Sequence, residues 1–322
     1  MTMEKIEEQA EIGPLQAGAR LDQAAAELFP DFSRGQLQKW IKSGELKLDG
    51  QQVKPKTIVR VAQLIVISAE LKEVTEWQPE AIELVVVFED DDVIVIDKQA
   101  GIVVHPAAGN PQGTLANAIL AQWPDNQVLP RAGIVHRLDK DTSGLMVVAK
   151  SLRAHKSLVD QLQSRTVKRQ YRAVVCGEMI AGGTVEQPIG RHPTQRVRMS
   201  VRPASDPSAK PAVTHFRIRN KFQSFTEVDV SLETGRTHQI RVHMAHLGFP
   251  LLGDPVYRGS YRRPAGISEE QNDVLSGFKR QALHAANLAF VHPDGDRSVS
   301  FASEIPDDYQ AVVSAIAGSI DD

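Results

Sequence analysis

His136-Arg137-Leu138-Asp139-Lys140-Asp141-Thr142-Ser143-Gly144-Leu145-Met146-Val147-Val148-Ala149-Lys150 is the stretch on which the reading of this chain turns. Its first half sets Arg, Asp, Lys and Asp within five residues and runs into Thr-Ser-Gly, the composition of a turn. Its second half, Leu145 to Ala149, is apolar throughout and predicts a buried strand. A charged turn anchored on a rigid strand is where a scaffold displays reactive groups. Arg137 and Asp139 are alternate residues, so in extended chain they face the same way. Asp141, three residues before Gly144, fits the ordinary role of a turn aspartate.

Outward from this stretch the pattern is rich in strands. Ile82 to Phe88 and Val93 to Ile96 flank the charged tip Glu89-Asp90-Asp91-Asp92, a hairpin pattern. Tyr171 to Val175, Val213 to Ile218 and Val228 to Leu232 read as further strands. Helices are expected over Thr114 to Gln122, over Ser151 to Gln163, and from an N-cap at Thr237 through Arg241. Gly182-Gly183, Pro203 to Pro211 and Arg258 to Gly266 read as loops. Strands and helices do not alternate regularly. The expected class is therefore α+β, a mixed and largely antiparallel sheet with flanking helices.

Residues 1–17 are polar and carry a Gly-Pro pair, which suggests a loose tail. Residues 18–75 form a separate small α/β unit. Leu21, Ala24, Ala25 and Leu28 fall at helical spacing, and Pro30 ends that helix. Ser33 caps a second helix whose Leu37, Trp40 and Ile41 make one stripe, leaving Arg34, Gln38, Lys39 and Lys42 outward. Gly44 closes it. Short β pieces follow at Leu46–Leu48, Val59–Val61 and Leu64–Ile67, with a turn at Asp49-Gly50. This unit resembles the S4-type RNA-binding domain, which makes Arg34, Lys39 and Lys42 candidate phosphate contacts. The acidic stretch from Leu71 to about Glu80 reads as a linker, and residues 76–322 form the larger domain.

The 322 residues suffice for one large domain and a small one. No stretch approaches a membrane span, and the N-terminus has no signal-peptide core. A single cysteine, Cys176, permits no internal disulfide, so a cytoplasmic location is expected. The net charge of −3 argues against nucleic acid, but its distribution argues for it. Arg131 to Arg172 holds ten Lys/Arg against three Asp/Glu, and Arg191 to Arg241 ten against four. Between Glu73 and Lys98 nine acidic residues stand against one basic. Charge segregated in this way can build a basic face on an acidic protein. His238, His243 and His246 invite a metal reading. Only His243 and His246 share i,i+3 spacing, no adjacent carboxylate completes a usual set, and no metal is expected.

The sequence His136-Arg137-Leu138-Asp139-Lys140-Asp141-Thr142-Ser143-Gly144-Leu145 resembles the signature of the pseudouridine synthases that modify uridines in ribosomal and transfer RNA. Lys168-Arg169-Gln170-Tyr171 resembles the Tyr motif of that family, and Thr234 to His243 its Arg motif. The resemblance runs from about Arg20 to about Pro306. Arg131 to Val135 and Gly253-Asp254-Pro255-Val256-Tyr257 are similar to the branch acting on the helix 69 stem-loop of bacterial 23S rRNA. It implies an isomerase, an intramolecular transferase, acting as a monomer on 23S rRNA or on the 50S particle. By the resemblance Asp139 is the catalytic nucleophile, Arg241 its partner, and Tyr171 a platform for the uracil. Arg137 enters the RNA stem in place of the extruded nucleotide, and Leu283 packs on the base. The isomerisation neither oxidises nor adds anything, so no cofactor is expected. The sequence leaves open whether Asp139 attacks C1′, attacks C6 or acts through a glycal. One departure is Asp97-Lys98-Gln99, where the family has Asn-Lys-Pro.

Two other classes share part of this pattern. A kinase catalytic loop has Asn five residues after its Asp, whereas Gly144 stands five after Asp139, and the chain has no phosphate-binding loop. A non-catalytic ribosome-assembly factor would share the charge map. It has no use for Asp139, a carboxylate inside the most basic segment, where it repels phosphate.

Overall fold

The structure, a computed structural model, describes residues 5–70, 77–107, 109–195, 198–295 and 297–318. Its first unit contains β1 (Lys5–Glu11), α1 (Leu21–Leu28), α2 (Arg34–Ser43), β2 (Leu46–Leu48) and β3 (Leu64–Glu70). The strands form an antiparallel sheet in the order β1-β3-β2. Ser33 accepts a hydrogen bond from the Gln36 N–H at the start of α2, and Gly44 ends the helix in the left-handed region. Leu21, Ala24 and Ala25 of α1 and Leu37, Trp40 and Ile41 of α2 are buried against Ile65 and Ile67 of β3. Val128 and Leu152 of the second unit pack onto the same cluster.

Two expectations fail here. Within the expected loose tail, Lys5–Glu11 is instead strand β1, paired with β3 along its whole length, and residues 1–4 lie outside the described residues. Ile6 and Ala10 turn toward the core, Ile12 is fully buried, and the intervening acidic residues face water. A half-buried edge strand needs few apolar residues, so composition alone hides it. The segment Val59–Val61 is not a strand. Its backbone serves the chain before α1, with Gly18 N–H donating to Val59 O and Val59 N–H to Ala19 O. The linker reading falls partly on residues 71–76, outside the described residues.

The second unit runs β4 (Val85–Glu89), β5 (Val93–Lys98), α3 (Leu115–Gln122), β6 (Ser143–Ala149), α4 (Leu152–Gln163), β7 (Lys168–Cys176) and β8 (Gly183–Glu186). It continues with β9 (Ile189–Arg191), β10 (Met199–Val201), β11 (Val213–Phe222), β12 (Phe225–Leu232) and α5 (Gln239–His246). It ends with α6 (Glu269–Gly277), β13 (Leu283–Val291), β14 (Ser298–Ala302) and α7 (Asp307–Ala317). Nine strands join in one sheet, ordered β4-β5-β6-β13-β7-β12-β11-β8 with β14 beside β13. All its pairs are antiparallel except β6 with β13. The expected α+β class with a mixed, mostly antiparallel sheet and an N-terminal S4-like unit is the one observed. Gly183, expected in a loop, opens β8 instead. β9 and β10 make a separate short hairpin. Among the described residues no helix is long and apolar enough to cross a membrane.

The apolar run of β6 has a simple cause. Met146 and Val148 enter the core that includes α3, while Leu145, Val147 and Ala149 enter the core under α4. Both faces are covered, so alternation disappears. At its first residues β6 meets β13 in parallel, with Gly144 opposite Ala285. Gly144 has φ +114, and a Cβ there would lie 2.3 Å from the Ala285 carbonyl oxygen and 2.5 Å from its nitrogen. Only glycine lets the strands approach this closely. Gly144→Ala should therefore lower unfolding free energy by roughly 3 kcal/mol or more. Urea unfolding checks this; a loss under about 0.5 kcal/mol, the range of neutral surface changes, contradicts the packing argument.

Candidate active site

A cleft of about 850 Å³ opens beside the central strands β6, β13 and β7, and Arg137, Asp139, Tyr171, His238, Arg241 and Leu283 all line it. The turn residues from 136 to 142 are braced from several sides. Asp139 O accepts from Thr142 N–H at 3.1 Å, and Lys140 O accepts from Gly101 N–H at 2.9 Å. His136 Nε2 accepts the Val147 N–H at 3.0 Å and ties the turn to β6. Burial, with the nearby Arg169 charge, pushes the His136 pKa down to about 3, so it remains a neutral acceptor. These bonds fix the backbone and leave the Asp139 side chain aimed into the cleft.

Arg241 Nη1 donates to Asp139 Oδ2 at 3.0 Å. The two-pronged face of Arg241 goes elsewhere: Nε and Nη2 donate to Asp254 Oδ2 and Oδ1 at 2.8 and 3.0 Å. The Arg241 side chain is 5% exposed and that of Asp254 fully buried. Burial disfavours the charged form of Arg241, but the hydrogen bonds and charge of Asp254, then of Asp139, outweigh it and raise its pKa. Asp254 in turn accepts the Val256 and Tyr257 N–H groups through Oδ1. The helix expected to start at Thr237 is capped by His238 instead, in the left-handed conformation at φ 57. That shift places Arg241 in the first turn of α5, within the positive end of its dipole.

Tyr171 stands on β7 between Val230 of β12 and Ala285 of β13, and is 6% exposed. Burial raises its pKa. Leu283, at the start of β13, is 4% exposed and also faces the cleft. Arg137 is exposed at the mouth. Six arginines line the cleft (Arg131, Arg137, Arg165, Arg169, Arg236 and Arg241) against two carboxylates, Asp139 and Glu233. A chain of net charge −3 thus presents a basic cavity. In the first unit Lys39 and Lys42 are exposed on α2. Arg34, grouped with them from sequence, donates with Arg20 and Gln38 to the buried Asp22. The histidines considered for metal part company: His243 bonds Thr214 Oγ1 and the Gln187 carbonyl, and His238 bonds the Tyr257 hydroxyl.

Sequence reasoning missed the parts of Asp254, Tyr257 and Lys98. Asp254 and Tyr257 were noted in a motif without a role. A carboxylate two residues after Leu251-Leu252, beyond Gly253, was the available signal. Lys98 was noted only beside Gln99. It sits opposite Gly144 at the end of β5, is 1% exposed, and donates to the carbonyls of Gln99, Ile102 and Lys140 at 2.8, 3.0 and 2.9 Å.

Residues 92–246 match the RNA pseudouridylate synthase family and residues 19–65 the S4 domain. The chain is 49% identical over 308 residues to the ribosomal large subunit pseudouridine synthase D of Xanthomonas campestris, spanning 96% of this chain and 92% of that protein. It is 50% identical over 311 residues to the protein of the same name from Pseudomonas aeruginosa, spanning 97% and 96%. A solved structure titled human RNA pseudouridylate synthase domain containing 4 shares the fold, with TM-score 0.56 and 22% identity over 72% of this chain and 93% of that one. This chain belongs to the RNA pseudouridine synthase family, in the form that carries an S4 domain.

Burial pushes the Lys98 pKa down to about 8, against the attraction of Asp141 and Asp139. Below that pH Lys98 is charged in both folded and unfolded chains, and its burial opposes folding. As pH rises through about 8 the folded form sheds the proton, while the unfolded form holds it to about 10.4. The opposition declines over that window by roughly 3 kcal/mol, at about 1.4 kcal/mol per pH unit. Urea unfolding from pH 7 to 10.5 should show wild type gaining stability relative to Lys98→Met. Parallel curves would contradict the assignment.

Proposed function

We propose that this chain isomerises uridine to pseudouridine in large-subunit ribosomal RNA, with Asp139 as the reacting carboxylate. The observation that carries it is the Asp254–Arg241–Asp139 chain at the base of a cleft lined by arginines. The reaction breaks the N1–C1′ bond, turns the uracil and joins C5 to C1′. A carboxylate can engage the electron-poor carbon and later depart. Arg241 holds Asp139 through Oδ2, which leaves Oδ1 toward the cleft. Tyr171 and Leu283 provide an aromatic and an apolar wall for the uracil, and Arg137 at the mouth takes the place of the extruded nucleotide. Extrusion is required because C1′ and C5 are out of reach inside a stacked helix.

The relatives named as large-subunit pseudouridine synthases support ribosomal RNA as substrate, and the branch-like motifs at Arg131 to Val135 and Gly253 to Tyr257 support the helix 69 stem-loop of 23S rRNA, free or in the 50S particle. The chain acts as a monomer in the cytoplasm. The first unit serves as a second RNA contact through Lys39 and Lys42.

Pseudouridine mapping on large-subunit rRNA should find the helix 69 loop modified by wild type. Asp139→Asn should be slower by on the order of 10³-fold or more, with RNA affinity retained. Modification elsewhere overturns the substrate, and undiminished activity overturns the role of Asp139. Tight binding without modification by either protein favours an assembly factor. Separately, Lys39→Ala with Lys42→Ala should weaken RNA binding and reduce the salt slope by about one per lost phosphate contact. Titrations at several salt concentrations measure this, and an unchanged slope removes α2 from the interface.

A further inference from the structure

We propose that His238 is a positioning residue for Asp139, held as the Nε2–H tautomer by the Tyr257 hydroxyl, whose direction is set by the β9–β10 hairpin. The inference rests on Asp139 being the reacting carboxylate. Its geometry is independent of that reading.

The Tyr257 oxygen accepts the Met199 N–H at 2.9 Å and lies 2.9 Å from His238 Nδ1. With an acceptor site filled by Met199, the phenolic proton is the group available to bridge the second contact. Tyr257 therefore donates to Nδ1, and the ring's own proton resides on Nε2. Nε2 lies 4.0 Å from Asp139 Oδ1, the oxygen that Arg241 does not hold. This is one small movement longer than a hydrogen bond, and such contacts commonly tighten when substrate docks. The N–H then steers Oδ1 while Arg241 steers Oδ2, fixing the carboxylate plane against the nucleotide.

Three further observations point the same way. His238 is left-handed at φ 57, a conformation uncommon for residues other than glycine, and its side chain makes no cap bond to α5. The backbone is bent to deliver the ring into the cleft, not to close the helix. The Tyr257 ring is approached by two guanidinium groups, those of Arg241 and Arg198, each with its carbon 5.2 Å from the ring centroid. Arg198 and Met199 stand at the start of β10, so the hairpin grips Tyr257 through both backbone and side chain. Burial lowers the His238 pKa, against the attraction of Asp139 and with the opposition of Arg241; Asp254 and Arg137 are the other charges that face it. Burial thus favours the neutral ring.

The test is the tautomer itself. Nitrogen-15 spectra of histidine-labelled protein, with the His238 signals assigned by their loss in His238→Gln, should show Nε2–H in wild type and a mixture in Tyr257→Phe. An Nδ1–H ring in wild type overturns the proposal, whether or not Tyr257→Phe folds. In single-turnover pseudouridine assays His238→Ala should lose roughly tenfold in rate, the worth of one hydrogen bond, with little change in RNA affinity. His238→Gln, which returns an N–H near Nε2, should recover part of that loss. Equal rates for Ala and wild type, or no recovery with Gln, overturn the role. Retained activity in Asp139→Asn would instead strike the reading of Asp139 and leave the tautomer result standing.

Discussion

The contact on which the site depends is the buried ion pair between Asp254 and Arg241. A guanidinium withdrawn from water is costly unless its charge is matched and its donors are used. Asp254 does both, with two parallel hydrogen bonds that fix the Arg241 plane. The remaining Nη1 then has one direction to point, toward Asp139. Asp254 is itself anchored, because Leu251 and Leu252 just before it bond to Val174 and Val175 of β7. The orientation of the half-buried Asp139 carboxylate is thus inherited from the middle of the sheet. Buried pairs of this kind are weak evidence for stability, and the function argued for this one is orientation.

The sheet supplies the other half of the restraint. β6 is buried on both faces and cannot slide without exposing one of two cores. Gly144 seats it against β13, and Lys98 reaches under the turn to hold the Lys140 carbonyl. Arg280 holds the Asp141 carbonyl, which explains why Asp141, on the same turn as Asp139, has a structural place. A group whose supports are all made before substrate arrives needs little reorganisation during reaction.

Charge is arranged by location and not by total. The acidic residues that bring the chain to −3 lie largely outside the cleft, and six arginines line it. A count of cations along the first unit does not show which of them are paired to a carboxylate. Arg20 and Arg34, both still exposed, pair with Asp22, a fully buried carboxylate that ties α1 to α2, whereas Lys39 and Lys42 are exposed on α2.

The sequence by itself determined the elements whose pattern is local. β6 was legible from its apolar run, α2 from Ser33 and Gly44, α4 from Ser151, and the charged turn from its composition. Motif resemblance gathered Asp139, Tyr171, Arg241 and Leu283, and the fold brings all four to one cleft. β1 escaped notice because an edge strand with one wet face carries little apolar signal. The cap at His238 escaped because a left-handed residue has no compositional mark. Only the tertiary structure decided who pairs with whom. Arg241 could not be known to divide itself between Asp254 and Asp139, nor Arg34 to pair with Asp22. Lys98 could not be known to end beneath the turn. Those choices are made by desolvation and hydrogen-bond geometry among residues distant in sequence, and no local pattern encodes such distances.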